Sequence, residues 1–145
     1  NETGVVFPID DIARQIKDRG IVFHTDAVQA AGKVPVNVQQ TPVDMLSLSG
    51  HKLHAPKGIG VLYIRKGIKF TPFLMGGHQE GGRRAGTENT ASIIGMGRAA
   101  QLAMARRAKA SSPVIRYTLK YPTMASACGH QCLSVSNLLS SGKNS

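Results

Sequence analysis

Acidic residues run out early in this chain. All eight Asp and Glu lie at or before Glu88, whereas seven Lys or Arg follow it, so the formal net charge of +10 sits largely in the C-terminal portion. A basic surface attracts nucleic acid and other anions. Aromatic residues, however, make up only 5% of the chain and no nucleic-acid-binding module is readable, so nucleic acid is not expected as a partner. Cysteine is scarce as well. Cys128 and Cys132 stand alone in a C-x3-C spacing, which provides no disulfide framework and is not the thioredoxin pattern. Ordinary thiols in a reducing compartment, the cytoplasm, are the expectation. No apolar run approaches the roughly 18 residues that span a bilayer, so no membrane partner is expected. An initiator Met and a charged-then-apolar leader are also missing. The opening Asn1-Glu2-Thr3-Gly4 reads like the middle of a turn, and an upstream segment is therefore expected. A length of 145 residues suits one domain or part of a larger one.

The segments that are present alternate between helix and strand signals. Pro8-Ile9-Asp10-Asp11 opens a helix, because proline lacks an N–H that would be unpaired there and the two carboxylates suit the positive end of the dipole. Ile9, Ile12, Ala13 and Ile16 share a face, Lys17 and Arg19 fall in the last turn, and Gly20 stops the helix. Residues 21–25 read as a buried strand ending at Asp26. A second apolar run, 43–48, ends in Ser49-Gly50-His51-Lys52, and a third covers 59–64. Residues 71–74 are expected to form a short fourth strand. The glycine-rich, charged stretch 76–86 is expected at a surface, an interface or an active site. Residues 89–108 form a helix with Ile93, Ile94, Met96, Gly97, Ala100 and Ala103 available for packing. This alternation predicts the α/β class. Beyond residue 108 the character changes: 109–145 holds eight serines and no acid. A strand over 115–119 and a short helix over 133–139 are the weakly periodic candidates there.

Chemistry is written where the strands end, the place at which open α/β sheets bind ligands. His24-Thr25-Asp26 closes one strand, with Gln29 three residues on, and Ser49-Gly50-His51-Lys52 closes another. A carboxylate, an amide, a hydroxyl, an imidazole and an amine are what pyridoxal phosphate requires. The amine bonds its aldehyde, the carboxylate keeps its ring nitrogen protonated, and donors hold its phenolic oxygen and phosphate. Gly50 lets the backbone approach a phosphate closely. Spacing alone leaves an ordinary loop equally open. His24, His51, His54 and His78 show no compact spacing for a tetrahedral metal site, so no metal is expected. Gly81-Gly82 lacks the Gly-Lys-Ser/Thr of a phosphate loop.

Three stretches go further. Residues 23–30 (Phe23-His24-Thr25-Asp26-Ala27-Val28-Gln29-Ala30), residues 47–58 around Ser49-Gly50-His51-Lys52, and Gly76-Gly77-His78-Gln79-Glu80 running on to Arg83-Arg84-Ala85-Gly86-Thr87-Glu88-Asn89 occur in one order. Together they resemble the cysteine desulfurases of the class V aminotransferase family, in particular the NifS branch tied to nitrogenase iron–sulfur assembly. The resemblance covers residues 1–108 and implies part of the large domain of a fold type I, pyridoxal-phosphate-dependent transferase. The remaining 109–145 form an atypical tail, expected to be disordered or read from a shifted frame.

The resemblance also implies roles. Lys52 matches the Schiff-base lysine and Asp26 the carboxylate facing the pyridine nitrogen. Gln29 and Asn1 match side chains near the phenolic oxygen and substrate. Ser49, Gly50 and His51 match the phosphate-binding group, and Thr87 a threonine that reaches the phosphate of the neighbouring subunit, which implies a homodimer with a shared site. The implied activity takes L-cysteine to L-alanine and leaves a persulfide for an iron–sulfur scaffold protein. Departures from the family are visible too. The stacking His of the upstream segment and the arginine for the substrate carboxylate have no match. Cys128 lies 76 residues beyond Lys52, too near for the sulfur-accepting position, and is not assigned. Two alternatives remain: another class V enzyme such as a selenocysteine lyase, or a fragment without activity of its own.

Overall fold

The computed structural model describes residues 2–109; Asn1, Cys128, Cys132, the 115–119 strand and the 133–139 helix lie outside the described residues. In chain order the elements are α1 (Ile9–Lys17), β1 (His24–Asp26), β2 (Met45–Ser49), a 3₁₀ helix (Gly50–Leu53), β3 (Gly60–Ile64), α2 (Gln79–Gly82) and α3 (Thr90–Lys109). The α/β class is borne out. No helix among the described residues is long and apolar enough to cross a membrane.

The sheet has the order β1-β2-β3. β1 runs parallel to β2, pairing His24 with Met45, Thr25 with Leu46 and Asp26 with Ser47. β3 returns antiparallel to β2, from Met45 opposite Ile64 to Ser49 opposite Gly60. Two apolar clusters flank this sheet. Ala13, Ala27, Val38, Val43 and Leu46 form the first, under α1. Leu53, Ile59, Met96 and Ala99 form the second, where α3 meets the 3₁₀ helix. Leu48 packs against both and so couples them.

Some expectations need correction. Ile21 and Val22 are 54% and 56% exposed and precede the strand, rather than lying buried in it. Among the described residues β1 has one hydrogen-bonded neighbour, and its pairing begins only at Phe23, whose carbonyl accepts the Asp44 and Met45 N–H groups. Residues 71–74 form no strand: Pro72 brings no N–H to a ladder, and Phe73 is 92% exposed. α1 ends at Lys17, so Arg19 lies beyond it; Gly20, at φ 67°, takes the left-handed conformation that turns the chain. In α3, Ile94 points outward at 72% exposure, whereas Met96 and Ala99 carry the packing. α3 begins at Thr90, and Asn89, expected inside the helix, caps it instead: its side-chain oxygen accepts the Ser92 N–H at 3.2 Å.

At the edge of the sheet where β2 begins, the backbone is tied by two side chains. Asp44 Oδ2 accepts the Phe23 N–H at 2.9 Å. The Arg65 guanidinium donates to the carbonyls of Val43 (2.8 Å), Val38 (2.8 Å) and Thr41 (2.9 Å). One planar fork thus satisfies three carbonyls of the β1–β2 connection, a task that suits Arg and not Lys. Arg65→Ala strands these partly buried acceptors and is expected to lower stability by about 1–3 kcal/mol in urea unfolding. Arg65→Lys should recover only part of the loss, and full recovery by Lys would show that the fork geometry is unimportant.

Candidate functional site

Parallel pairing decides where the polar residues go. β1 and β2 end at the same side of the sheet, with Asp26 the last residue of one and Ser49 the last of the other. The Ala27 N–H continues the ladder onto the Ser47 carbonyl at 3.0 Å. The chain then leaves β1 through a helical turn that carries Gln29, and leaves β2 directly into the 3₁₀ helix that carries Gly50, His51 and Lys52. The two clusters picked out in the sequence therefore stand at neighbouring strand ends.

Each side chain has a definite setting. Asp26 is exposed; its Oδ1 accepts the Val28 N–H at 2.8 Å, and its Oδ2 makes no hydrogen bond among the described residues. Gln29 Oε1 accepts from Lys33 Nζ at 3.0 Å. That bond leaves the amide N–H2 of Gln29 as the end available to an acceptor. Ser49 Oγ and His51 Nδ1 lie 2.7 Å apart, so hydroxyl and imidazole form one unit at the end of β2. Lys52 is exposed and makes no hydrogen bond or ion pair among the described residues.

Gly50 is held by packing. It is buried, its N–H donates to the Ile59 carbonyl at 2.9 Å, and its carbonyl accepts the Ala55 N–H at 3.0 Å. A Cβ there would lie 2.5 Å from Ile59 Cγ2, 3.0 Å from the Ile59 carbonyl oxygen and 3.1 Å from Ala55 Cβ. Glycine is thus required by the close approach of the β3 lead-in, whatever else the backbone binds. Leu53, buried against α3, anchors the far end of the same helix. His54, at φ 64°, closes it in the left-handed region.

Thr87 is exposed and sits three residues before α3, at the end of the glycine-rich stretch. The described residues give it no bond to Asp26, Gln29, Ser49, His51 or Lys52, so the fold does not by itself gather it with them. Within this stretch α2 is one irregular turn, with Glu80 (φ 52°) and Gly81 (φ 66°) left-handed. Gln79 Oε1 and Arg84 Nε are buried atoms without a hydrogen-bond partner among the described residues. Burial pushes the Glu80 carboxyl above its ordinary 4.5, helped by the charge of Glu88 and opposed by Arg84 and Arg83. Two residues of the sequence reading's blind side emerge here. Lys33 orients Gln29, and its spacing of four residues along a helical turn was the available signal. Ser47 bonds His24 Nε2 at 2.7 Å, a cross-strand pairing that only the register reveals.

The aminotransferase class-V family model matches residues 1–123. The chain belongs to the class-V aminotransferase family. Among relatives, a cysteine desulfurase of a Nostoc species is 62% identical over 102 residues, covering 70% of this chain and 26% of that protein. The cysteine desulfurase NifS of Azotobacter vinelandii is 65% identical over 104 residues, covering 72% of this chain and 26% of its own. The chain thus spans about a quarter of the length of the curated relatives it matches. Solved class-V structures agree. A NifS-like protein superimposes with a TM-score of 0.70 at 41% identity, over 73% of this chain and 30% of its own. SspA in complex with cysteine gives 0.65 at 46% identity, over 68% and 29%.

Two outcomes follow from the geometry of this class-V site. Gly50→Ala should lose about 1–3 kcal/mol by overpacking against Ile59; a thermal midpoint equal to the wild type would contradict the close approach. A carboxyl whose folded pKa is raised contributes stability that is complete below the unfolded value and lost as pH rises through the folded one. The glycine-rich stretch should therefore loosen as pH climbs from about 4.5 through the raised Glu80 value. In Glu80→Gln that step should vanish from amide-exchange profiles of residues 78–86.

Proposed function

We propose that the chain carries the cofactor-holding strand ends of a cysteine desulfurase that uses pyridoxal phosphate. The observation that supports this most is the emergence of Ser49-Gly50-His51-Lys52 from β2 directly beside the Asp26 end of the parallel β1. The donor set fits the group. It offers an exposed amine at Lys52, a carboxylate oxygen left open at Asp26, a free amide end at Gln29 and a hydroxyl–imidazole unit at Ser49 and His51. When bound, pyridoxal phosphate supplies an aldehyde for the substrate amine and an electron-withdrawing ring that stabilises negative charge at the substrate α-carbon.

The chain's own residues then divide the work. Lys52 would hold the aldehyde, and its amine would serve as the base that moves the substrate α-proton. Asp26 keeps the proton on the ring nitrogen through its open Oδ2. Gln29, steered by Lys33, would donate to the phenolic oxygen, and the family resemblance assigns Asn1 to the same oxygen and the substrate. The side chains of Ser49 and His51 would hold the phosphate, with Gly50, whose N–H is spent on Ile59, offering only the absence of a side chain; Thr87 would reach the phosphate of a second copy, so the working form is a homodimer. L-cysteine and an enzyme thiol become L-alanine and an enzyme persulfide, with the sulfur passing to an iron–sulfur scaffold protein in the cytoplasm, nitrogenase assembly included. Residues 1–108 supply this machinery.

Relatives named cysteine desulfurase support the substrate, as does a structural neighbour in complex with cysteine. Expressed with the upstream and downstream parts of the family restored and with pyridoxal phosphate added, the protein should gain an absorbance band near the visible edge and release alanine from L-cysteine over many turnovers. Lys52→Ala should abolish the band and reduce alanine release by at least about 100-fold, with its thermal midpoint unchanged. A band that survives in Lys52→Ala would remove this lysine from the chemistry. Release of selenide but not sulfide would move the activity to selenocysteine.

A further inference from the structure

Asp26 is gripped from both sides by one residue of the neighbouring strand. Ser47 is its register partner in the parallel pair. The Ser47 hydroxyl lies 2.7 Å from His24 Nε2, in a partly buried contact two residues before Asp26. The Ser47 carbonyl accepts the Ala27 N–H, one residue after Asp26, at 3.0 Å. Alternation along a strand puts His24 and Asp26 on the same sheet face, and register pairing puts Ser47 there with them. The carboxylate itself is turned by the Val28 N–H, which occupies Oδ1 at 2.8 Å and leaves Oδ2 open.

This arrangement matters because β1 is short. It contains three residues and, among the described residues, pairs with β2. The ends of such strands fray readily, since few ladder bonds fix them. A side-chain bond across the strands adds the restraint that the ladder lacks. It acts immediately before the residue whose direction counts, because a hydrogen bond to a ring nitrogen demands a narrow range of angles.

We propose that His24 is a positioning residue: through Ser47 it holds the end of β1, and so the Asp26 carboxylate, in the one orientation that leaves Oδ2 open. The link to the cofactor ring rests on the pyridoxal-phosphate reading above; the positioning itself does not. Either tautomer of His24 serves, because the serine hydroxyl both donates and accepts. Glutamine serves as well, since its amide reaches as far as the imidazole Nε2 and offers both a donor and an acceptor. Leucine does not.

The test uses His24→Leu, Ser47→Ala, the double variant and His24→Gln, with two readouts. The first is ligand-free: hydrogen exchange of the Val28 amide, the group that reports the Asp26 orientation. Exchange is expected to quicken by about 3- to 10-fold in each disruptive single variant, the range of one net hydrogen bond. The double variant should be no faster than the singles, and His24→Gln should return toward wild type, while the amides of α3 stay unchanged. The second readout is pyridoxal-phosphate affinity, expected to fall by a similar factor in His24→Leu and Ser47→Ala and to recover in His24→Gln. Unchanged Val28 exchange in His24→Leu, additive effects in the double variant, or an equal slowing or quickening across α3 would each overturn the proposal. A wild-type protein that takes up no cofactor while the Val28 pattern holds would sink the cofactor reading and leave the positioning role standing.

Discussion

Parallel hydrogen bonding between β1 and β2 is the constraint on which the site depends. Because the two strands run the same way, both deliver their last residues to one side of the sheet, and the register sets Asp26 level with Ser47, two residues before Ser49. Had β2 run antiparallel to β1, the carboxylate and the amine-bearing turn would lie at opposite ends. β3 supplies the second half of the placement. Its lead-in residue Ile59 accepts the Gly50 N–H and leaves no room for a Cβ, so the turn after β2 is pressed against the sheet where it starts. α3 fixes the other end of that turn through Leu53, Met96 and Ala99. The Lys52 amine is thus placed by backbone pairing and by apolar contacts of its neighbours, while its own side chain stays exposed.

The two ends of the sheet use the same residue types for opposite purposes. At the start of β2, Asp44 and Arg65 spend their hydrogen-bonding capacity on the chain, on Phe23 N–H and on the carbonyls of residues 38, 41 and 43. Those groups stabilise a connection and offer nothing to a ligand. At the other end, Asp26 commits one oxygen to Val28 and keeps the other open, and Gln29 commits its oxygen to Lys33 and keeps its N–H2. In each of these groups the internal bond fixes the direction of the atom that is left over.

The glycine-rich stretch before α3 is organised differently. Its turn depends on left-handed backbone at Glu80 and Gly81, and it retains buried, unpartnered atoms at Gln79 and Arg84. A carboxyl whose charge is disfavoured by burial sits among them.

Much of this protein was readable before any coordinates. The helix over residues 9–17, the runs that became β2 and β3, and the long helix α3 follow from helix-end signals and apolar periodicity, which are local properties of the chain. The polar residues at the strand ends were equally plain, and their family likeness was carried by short contiguous motifs. What could not be read was anything decided by a distant neighbour. Ile21 and Val22 look like strand interior, yet they lie outside it: among the described residues the ladder with β2 reaches back only to Phe23. Residues 71–74 have strand composition but no ladder to join. The bonds between His24 and Ser47, and between Arg65 and three carbonyls over twenty residues away, exist because the register brings those atoms together. Sequence by itself determined which chemical groups the protein would offer and on which kinds of element, since propensity and capping act within a few residues. Only the tertiary structure decided which of those groups stand side by side and which atom of each remains open, because strand direction and register are set by contacts that no local stretch contains.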